Sequence, residues 1–230
     1  MGTPKNIPED AVNVEEGLSN KVYFHEDKVY KIYRFFPVPG LYASLLELFR
    51  GRLIFYGRNR RIRNSIKMAE LVRKTGFETA EILKQEGRLI VFERIEGVSG
   101  FEYLSNCTEE EASELGFDMR QGLEELHDMD VALKDARLSN FIIKDEDVYS
   151  IDHEYSSLEA GKLFKILDEL TLLSSARQTS NYHAFKKGFR PHKHAVLLSI
   201  ITAFYHVILF NRKWSRLKNL WRSLRPARQS

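Results

Sequence analysis

The sequence predicts an α+β fold, in which a small β-rich part precedes a mainly helical part. Four short runs in the first hundred residues are rich in β-branched and aromatic side chains, which is typical of strands. Short polar turns separate the members of each pair, so two hairpins are expected. The predicted strands are residues 22–25, 29–34, 80–84 and 89–92.

Helical spacing of apolar residues dominates the rest of the chain. Thr108 precedes three glutamates, which favours a helix beginning there, because threonine caps free amides and acidic side chains complement the helix dipole. The predicted helices are residues 41–50, 60–74, 108–127, 158–175 and 193–210, with a β-hairpin at residues 141–151. We expect a boundary near Gly97, which divides the chain into residues 1–96 and 97–230.

Composition and charge limit the classes of protein that fit. Apolar residues make up 43% of the 230 residues, which is enough for a sizeable core. The single cysteine, Cys107, cannot form an internal disulfide, and this fits a reducing compartment. Seven basic residues and no acidic one occur in residues 50–67, and the same is true of residues 211–230. These stretches indicate either an anionic partner or two solvated faces.

Three polar residues with the chemistry of phosphoryl transfer lie close together in the sequence. Asp135 is followed five positions later by Asn140, and the predicted hairpin then leads to Asp152. Phosphoryl transfer needs a carboxylate that orients or deprotonates the acceptor hydroxyl, and oxygen ligands that hold Mg²⁺ against the phosphates. Because a hairpin returns the chain to its starting point, we expect Asp152 to lie near the first two residues.

Residues 133–155 resemble the catalytic and metal-binding loops of the protein-kinase-like superfamily. They are most similar to its small atypical branches, namely lipopolysaccharide-core (Kdo) kinases, RIO kinases and aminoglycoside-type phosphotransferases. The resemblance implies a two-lobed fold, with a small β-rich N-lobe and a mainly helical C-lobe, that binds ATP and Mg²⁺. It implies that Asp135 is the catalytic base and that Arg137 contacts the γ-phosphate. Asn140 and Asp152 would then be the metal ligands.

The segment departs from the family pattern at three places. Leu133 stands where the family usually has a structural histidine, and His153-Glu154 replaces the Phe-Gly that follows the metal aspartate. Lys134, directly before the expected base, is unusual. We expect its side chain either to stabilise phosphate charge or to point to solvent.

Upstream segments resemble the ATP-binding parts of the same superfamily and occur in the same order. Residues 14–23 resemble the loop that covers the phosphates, which implies that Gly17 and Ser19 bind the cofactor. Residues 29–33 resemble the strand whose lysine contacts the α- and β-phosphates, which assigns that role to Lys31.

Three further positions follow from the resemblance. The lysine normally pairs with a glutamate of the crossing helix, for which Glu70 is the candidate and Glu47 the alternative. Residues 88–97 resemble the hinge between the lobes, where backbone groups of Glu93 and Ile95 would bind the adenine edge. Residues 167–176 resemble the helix after the metal loop, in which Asp168 or Glu169 would support the catalytic loop.

The stretch after Asp152 bears on the acceptor. Only a few residues separate Asp152 from the helix predicted at residue 158, so the sequence has no long activation segment with an Ala-Pro-Glu anchor. Typical protein kinases lay a peptide on that segment. The acceptor is therefore expected to be a small molecule, a sugar or glycolipid, or one dedicated protein.

Two later segments suggest contact with an anionic membrane surface. Residues 195–210 are almost unbroken apolar sequence, shorter than the roughly 20 residues of a membrane span. We expect them to form a buried helix, with a segment that dips into the membrane as the alternative. Residues 213–230 place tryptophan and leucine at helical spacing among arginines, which suits a membrane-bound amphipathic helix or a helix packed on the domain. We expect a cytoplasmic protein. If these segments contact a membrane, the protein is expected to attach peripherally to its inner face.

Two alternatives to an active phosphotransferase stay open. A pseudokinase would keep the fold and bind nucleotide but would regulate a partner, and the departures at Leu133 and Lys134 favour it. Joint retention of the expected lysine, base and metal ligands favours activity. A helical nucleic-acid-binding protein would explain the basic stretches, but the sequence has no stacking motif, recognition helix or zinc knuckle.

Overall fold

The computed structural model of the protein describes residues 7–8, 10–16, 20–34 and 54–191. Within these residues the chain forms an α+β structure with two antiparallel sheets and five α-helices, which confirms the predicted fold class. The predicted helices at residues 41–50 and 193–210, and the basic stretch at 213–230, lie outside the described residues. What we expect of them stays a prediction.

The first sheet contains five antiparallel strands in the order β1-β2-β3-β5-β4. They are β1 Val12–Glu16, β2 Asn20–His25, β3 Lys28–Tyr33, β4 Ile82–Glu86 and β5 Leu89–Glu93. The four predicted strands are confirmed to within two residues at each end. Strand β1 was not predicted, because its Glu15-Glu16 end has low strand propensity.

Helix α1, Arg58–Val72, packs against the first sheet. Its Ile62 lies in one buried cluster with Tyr33 of β3 and Ile90 of β5. The hydroxyls of Tyr33 and Ser65 are 2.7 Å apart, so a buried polar pair accompanies the apolar contact. Since hydrogen bonds are directional, this pair fixes the rotation of α1 on the sheet.

The second sheet contains three antiparallel strands in the order β6-β7-β8. They are β6 Val98–Ser99, β7 Phe141–Lys144 and β8 Asp147–Ser150. The surrounding helices are α2 Gly100–Asn106, α3 Glu109–Asp128, α4 Lys162–Ala176 and α5 Tyr182–Phe189. At the start of α3, Thr108 and Glu111 form a capping box, in which each side chain bonds the backbone of the other. The predicted cap is therefore confirmed.

The main hydrophobic core lies where the helices meet the second sheet. Its members are buried residues of all five helices and of β7 and β8, together with Phe77 and the segment that leads to β7. The rings of Phe77 and Phe141 lie 5.4 Å apart in this core. Because α1 contributes Met68 and Val72 to the same core, one helix packs on both sheets. None of the helices in the described part of the chain has both the length and the hydrophobicity of a membrane span.

Two glycines allow α3 and α5 to approach each other closely. A Cβ atom on Gly116 would lie 2.2 Å from the carbonyl oxygen of Phe185, and one on Gly188 would lie 1.8 Å from that of Ser113. Both distances are far below van der Waals contact. The two helices therefore pack backbone to backbone, and only glycine fits at either position.

Replacing Gly188 with alanine should therefore force α5 away from α3. We expect Gly188→Ala to lower the free energy of unfolding by about 3 kcal/mol, since overpacking a well-filled contact costs about 1–3 kcal/mol or more. Urea denaturation followed by circular dichroism measures this change.

Gly76→Ala is the matched control. A Cβ atom there would lie 3.6 Å from the nearest atom, Oε2 of Glu125, which is an ordinary contact. It should change the free energy of unfolding by less than about 1 kcal/mol. Equal stability of the two variants would contradict the described packing of α3 on α5.

Candidate functional site

One ion pair connects the two sheets. Lys31 lies on β3, the central strand of the first sheet, and its side chain is only 10% exposed. Its Nζ donates a hydrogen bond to Oδ1 of Asp152, the second residue after β8. Asp152 has a left-handed backbone (φ 63°), which aspartate adopts more readily than most residues. Its side chain is 39% exposed, so the buried cation is paired with a carboxylate that reaches the surface.

Asp135 and Asn140 lie beside the end of β8. Asn140 closes a short 3-10 turn, Leu138–Asn140, and its Nδ2 donates to the carbonyl oxygen of Asp135 at 2.8 Å. The backbone N–H of Ile151 donates to the carbonyl oxygen of Asn140 at 2.9 Å. Because Ile151 directly precedes Asp152, the three polar residues that the sequence singled out come together in one place.

Arg137 is paired with the carboxylate of Asp135. Its Nε and Nη2 donate to Oδ1 and Oδ2 of Asp135, each at 2.6 Å. Such two-point pairs are among the stronger hydrogen-bonded contacts in proteins. Both side chains are partly exposed, Asp135 by 29% and Arg137 by 34%. The guanidinium therefore lies at the surface beside the expected base, where it can also contact a ligand.

The donor atoms near Asp152 suit a magnesium ion. The amide nitrogen of Asn140 is bound to Asp135, which leaves Oδ1 of Asn140 as its remaining side-chain polar atom. Asp152 uses Oδ1 for Lys31 and has a second carboxylate oxygen. Mg²⁺ prefers one or two protein oxygens, with water and phosphate completing its shell. Within the described residues, no group of three or more His, Cys, Asp and Glu side chains could hold a metal ion.

Burial and opposite charge act against each other at the site. Burial lowers the pKa of Lys31, but the carboxylates of Asp152 and Glu154 outweigh it and hold this pKa well above its ordinary value. Burial raises the pKa of Asp152, and Lys31 more than reverses this, so the pKa is lowered. Burial also raises the pKa of Asp135, which Arg137 offsets only in part. Asp135 is therefore a stronger proton acceptor than an ordinary aspartate.

The expected pairing of Lys31 with Glu70 is wrong. The carboxylates that contact Lys31 are those of Asp152 and Glu154, the latter at 3.4 Å, whereas Glu70 is exposed on α1. The residue of α1 that faces the site is Arg61, which is buried. Glu70 follows Arg61 by nine residues, a rotation of about 180° at 3.6 residues per turn, so it lies on the opposite face. The alternative, Glu47, lies outside the described residues.

Glu154 and Arg61 are the main residues of the site that the sequence did not indicate. Glu154 is buried with 2% of its side chain exposed, and Arg61 Nη1 lies 3.3 Å from its Oε1. Nδ2 of Asn20, on β2, donates to Oε2 of Glu154 at 2.8 Å. In the sequence, Glu154 is one half of a departure from a family motif, and Arg61 is one of seven basic residues in a run. Neither pattern reveals which side chains point inward.

Asp168 supports the segment that leads to Asp135. Its fully buried carboxylate accepts hydrogen bonds from the backbone N–H of Leu133 at 2.8 Å and of Lys134 at 2.6 Å. Nε2 of His127 lies 3.2 Å from the same group. Of the two residues predicted to support this loop, Asp168 therefore contacts it. Glu169 instead pairs with Arg120 at 2.9 Å.

The side chain of Lys134 has neither of its expected roles. It is buried, its Nζ donates to the hydroxyl of Tyr56 at 2.7 Å, and it lies 4.2 Å from the centre of the Phe164 ring. Lys134 also has a left-handed backbone, with φ 63°. The lysine side chain therefore points into the protein and anchors the backbone turn that leads to Asp135.

The residues expected to bind adenine lie at the end of β5. The backbone N–H of Glu93 donates to the carbonyl oxygen of Glu81 at 2.9 Å, so this amide is not available to a ligand. Ile95 lies two residues further on and is half-buried. The expected phosphate-loop residues, Gly17 and Ser19, lie outside the described residues, so their role stays a prediction.

The segment between Asp152 and α4 is tied to the protein along its length. Ser157 and Ala132 exchange two backbone hydrogen bonds, at 2.8 and 3.0 Å. Nδ2 of Asn64, on α1, donates to the carbonyl oxygen of Ser156 at 2.9 Å. Burial lowers the pKa of His153 to about 4, and this neutral ring lies 2.9 Å from the hydroxyl of Ser150. These contacts explain why α4 begins at Lys162, four residues later than predicted.

Replacing Asp168 with asparagine should destabilise the protein and disturb the position of Asp135. The variant keeps the size of the side chain but sets an NH2 group against backbone donors. We expect Asp168→Asn to lower the free energy of unfolding by about 3 kcal/mol, since breaking a buried charged network costs about 3–5 kcal/mol. Urea denaturation measures the loss.

Asp130→Asn is the control, because its carboxylate is 73% exposed in its pair with Lys165. This variant should cost less than about 1 kcal/mol. Losses of the same size in both variants would show that Asp168 does not have the described supporting role.

Comparisons with known proteins do not assign this chain to a family. No model of a known protein family matches the sequence. A search of curated proteins also found no match. The function must therefore be inferred from the chemistry of the site formed by Lys31, Asp135, Asn140 and Asp152.

Proposed function

We propose that the protein is a Mg-ATP-dependent phosphotransferase with a two-lobed protein-kinase-like fold, acting on a hydroxyl acceptor. The observation that carries the proposal is the bond between Lys31 and Asp152, residues 121 positions apart in the chain. Asn140 bonds the backbone of Asp135 beside it. Phosphoryl transfer uses a strand lysine, a proton-accepting aspartate and metal-binding asparagine and aspartate side chains. These residue types occur here in that chain order, and they lie close together.

The proposed lobes correspond to the two sheets. The first sheet and α1 would form the small lobe, up to residue 96, and the second sheet with α2 to α5 would belong to the large one. Gly97 would lie at the connection. A Cβ atom on Gly97 would lie 2.5 Å from the carbonyl oxygen of Ile143, so the connection packs tightly on β7. This close contact supports a short, defined hinge beside the proposed nucleotide site.

Each polar residue would have one task. Lys31 would bind the α- and β-phosphates, and Asp135 would orient the acceptor hydroxyl and accept its proton. Arg137 would bind the transferred phosphoryl group, since its guanidinium lies at the surface beside Asp135. Asn140 and Asp152 would hold Mg²⁺, which when bound neutralises phosphate charge.

The ordered segment after Asp152 supports a restricted acceptor. Residues 153–161 are tied to Ala132 and α1 by backbone and side-chain hydrogen bonds. A segment fixed in this way does not have to be ordered by phosphorylation before an acceptor binds. It is also too short to offer a long peptide platform. We therefore propose a small-molecule, sugar or glycolipid hydroxyl, or a single dedicated protein, as the acceptor.

A nucleotide-binding regulatory module is the second candidate, and one observation favours it. Both carboxylate oxygens of Asp135 are engaged by Arg137. Each oxygen keeps a further acceptor position, but the paired guanidinium lowers the basicity of the carboxylate and occupies space that an acceptor hydroxyl needs. If Arg137 stays in this position when nucleotide binds, the protein would bind Mg-ATP without transferring its phosphate.

The decisive experiment compares Asp152→Asn and Asp135→Asn with the wild-type protein. Asparagine is chosen at position 152 because it tolerates the left-handed backbone found there. We expect Asp135→Asn to lower ATP turnover about 10²–10⁴-fold and to keep Mg-ATP binding, since it removes only the proton acceptor. Asp152→Asn should lose turnover and also weaken Mg-ATP binding. Phosphate release and calorimetric titration measure the two properties.

Asp147→Asn is the matched control, because this aspartate is exposed at the turn end of β8, at the opposite end of the strand from Asp152. It should keep both turnover and binding. Wild-type binding without turnover would leave two candidates, the regulatory module and an enzyme that turns over ATP only with its acceptor. Unchanged turnover in folded Asp135→Asn and Asp152→Asn proteins would exclude the proposed chemistry at these residues.

A further inference from the structure

Glu154 is the centre of a buried cluster of charges behind the proposed phosphate site. Its carboxylate lies 3.4 Å from Nζ of Lys31 and 3.3 Å from Nη1 of Arg61, and it accepts a hydrogen bond from Asn20 at 2.8 Å. The side chains of Glu154 and Arg61 are each 2% exposed, and that of Lys31 is 10% exposed. With Asp152 the cluster holds two cations and two anions, so its charges balance.

Lys31 therefore has two carboxylate partners with different surroundings. Asp152 reaches the surface and has the oxygens that suit a metal ion, whereas Glu154 is enclosed. If Asp152 turned toward a bound metal ion, it would hold Lys31 less firmly, but Glu154 would still lie beside the ammonium group. The second carboxylate would then keep Lys31 from following Asp152 or turning away from bound phosphates.

Arg61 keeps Glu154 from moving. Its Nη2 donates to the carbonyl oxygen of Arg34, just after β3, and its Nη1 also lies 3.4 Å from Oδ1 of Asn20. Three residues further along α1, Asn64 donates to the backbone carbonyl of Glu154 at 3.3 Å. The side chain and backbone of Glu154 are therefore both held by α1, which is itself fastened to the sheet.

We infer that Glu154 is a positioning residue that holds Lys31 in place for the nucleotide phosphates, and that Arg61 holds Glu154. This rests on the proposed function, because it assigns Lys31 to phosphate binding. Helix α1 supplies a cation, Arg61, and the loop after β8 supplies the carboxylate of Glu154 that Lys31 contacts. In the arrangement expected from the sequence, the helix would instead supply a glutamate to the strand lysine.

A double-mutant cycle between Glu154 and Lys31 tests this inference. Dissociation constants for Mg-ATP and for adenosine are measured on the full chain for wild type, Glu154→Gln, Lys31→Met and the double variant. We expect Glu154→Gln to weaken Mg-ATP binding about tenfold, comparable to losing one charged hydrogen bond. Adenosine binding should change less than about twofold, since adenosine has no phosphate for Lys31 to hold. In the Lys31→Met background, Glu154→Gln should have no further effect on Mg-ATP.

Glu86→Gln, on β4 of the first sheet, is the control for the same chemical change, because this carboxylate is 52% exposed in its pair with Lys84. It should leave both dissociation constants unchanged. An equal loss of Mg-ATP affinity with and without Lys31 would overturn the positioning role. A loss of adenosine binding as large as that of Mg-ATP would overturn it too, since that is the effect of general structural damage.

Arg61→Lys extends the test if Glu154→Gln does not fold. It keeps a buried cation but removes the planar group that contacts Glu154, Asn20 and the Arg34 carbonyl together. A loss of about threefold in Mg-ATP affinity that disappears in the Lys31→Met background supports the inference. A loss that persists there overturns it. A wild-type protein that binds no Mg-ATP would instead overturn the proposed function itself, and the two failures are therefore distinct.

Discussion

The placement of Lys31 between two carboxylates is the constraint on which the rest of the site depends. A lysine on the central strand of a sheet is costly to bury unless opposite charges surround it. Asp152 and Glu154 supply those charges from the loop after β8. Arg61 then balances the second carboxylate from α1. These charges hold β3, α1 and the loop after β8 together, although the three are distant in the chain. Removing any one charge would leave another without its partner.

Buried polar groups with hydrogen-bond partners also support the two residues that precede Asp135. Asp168 accepts two successive backbone N–H groups, and Lys134 turns inward against Tyr56 and Phe164. Asp135 itself stays near the surface. Rigid support beneath an accessible carboxylate is what a reaction needs when its main requirement is positioning. The site thus combines a fixed interior with polar groups that are partly exposed at the surface.

The local parts of the site could be predicted from the sequence, whereas its long-range contacts could not. Asp135, Asn140 and Asp152 are brought together by one turn and one hairpin, which spacing alone specifies. The partner of Lys31 depends instead on how α1 is rotated against the sheet. That rotation points Arg61 inward and leaves Glu70 exposed. Strand positions were predicted well because β-rich runs and turns are local signals, while the start of α4 depends on tertiary contacts of residues 153–161.

We propose that Lys31, Asn140 and Asp152 form one site for Mg²⁺ and nucleotide phosphates. A crystal structure of the protein with Mg²⁺ and a non-hydrolysable ATP analogue would show whether they do. We expect a metal ion bound by Oδ1 of Asn140 and the carboxylate of Asp152. We also expect Lys31 to contact the phosphates, with Glu154 still within reach of its Nζ. A nucleotide bound elsewhere, or a metal ion that contacts neither Asn140 nor Asp152, would contradict it.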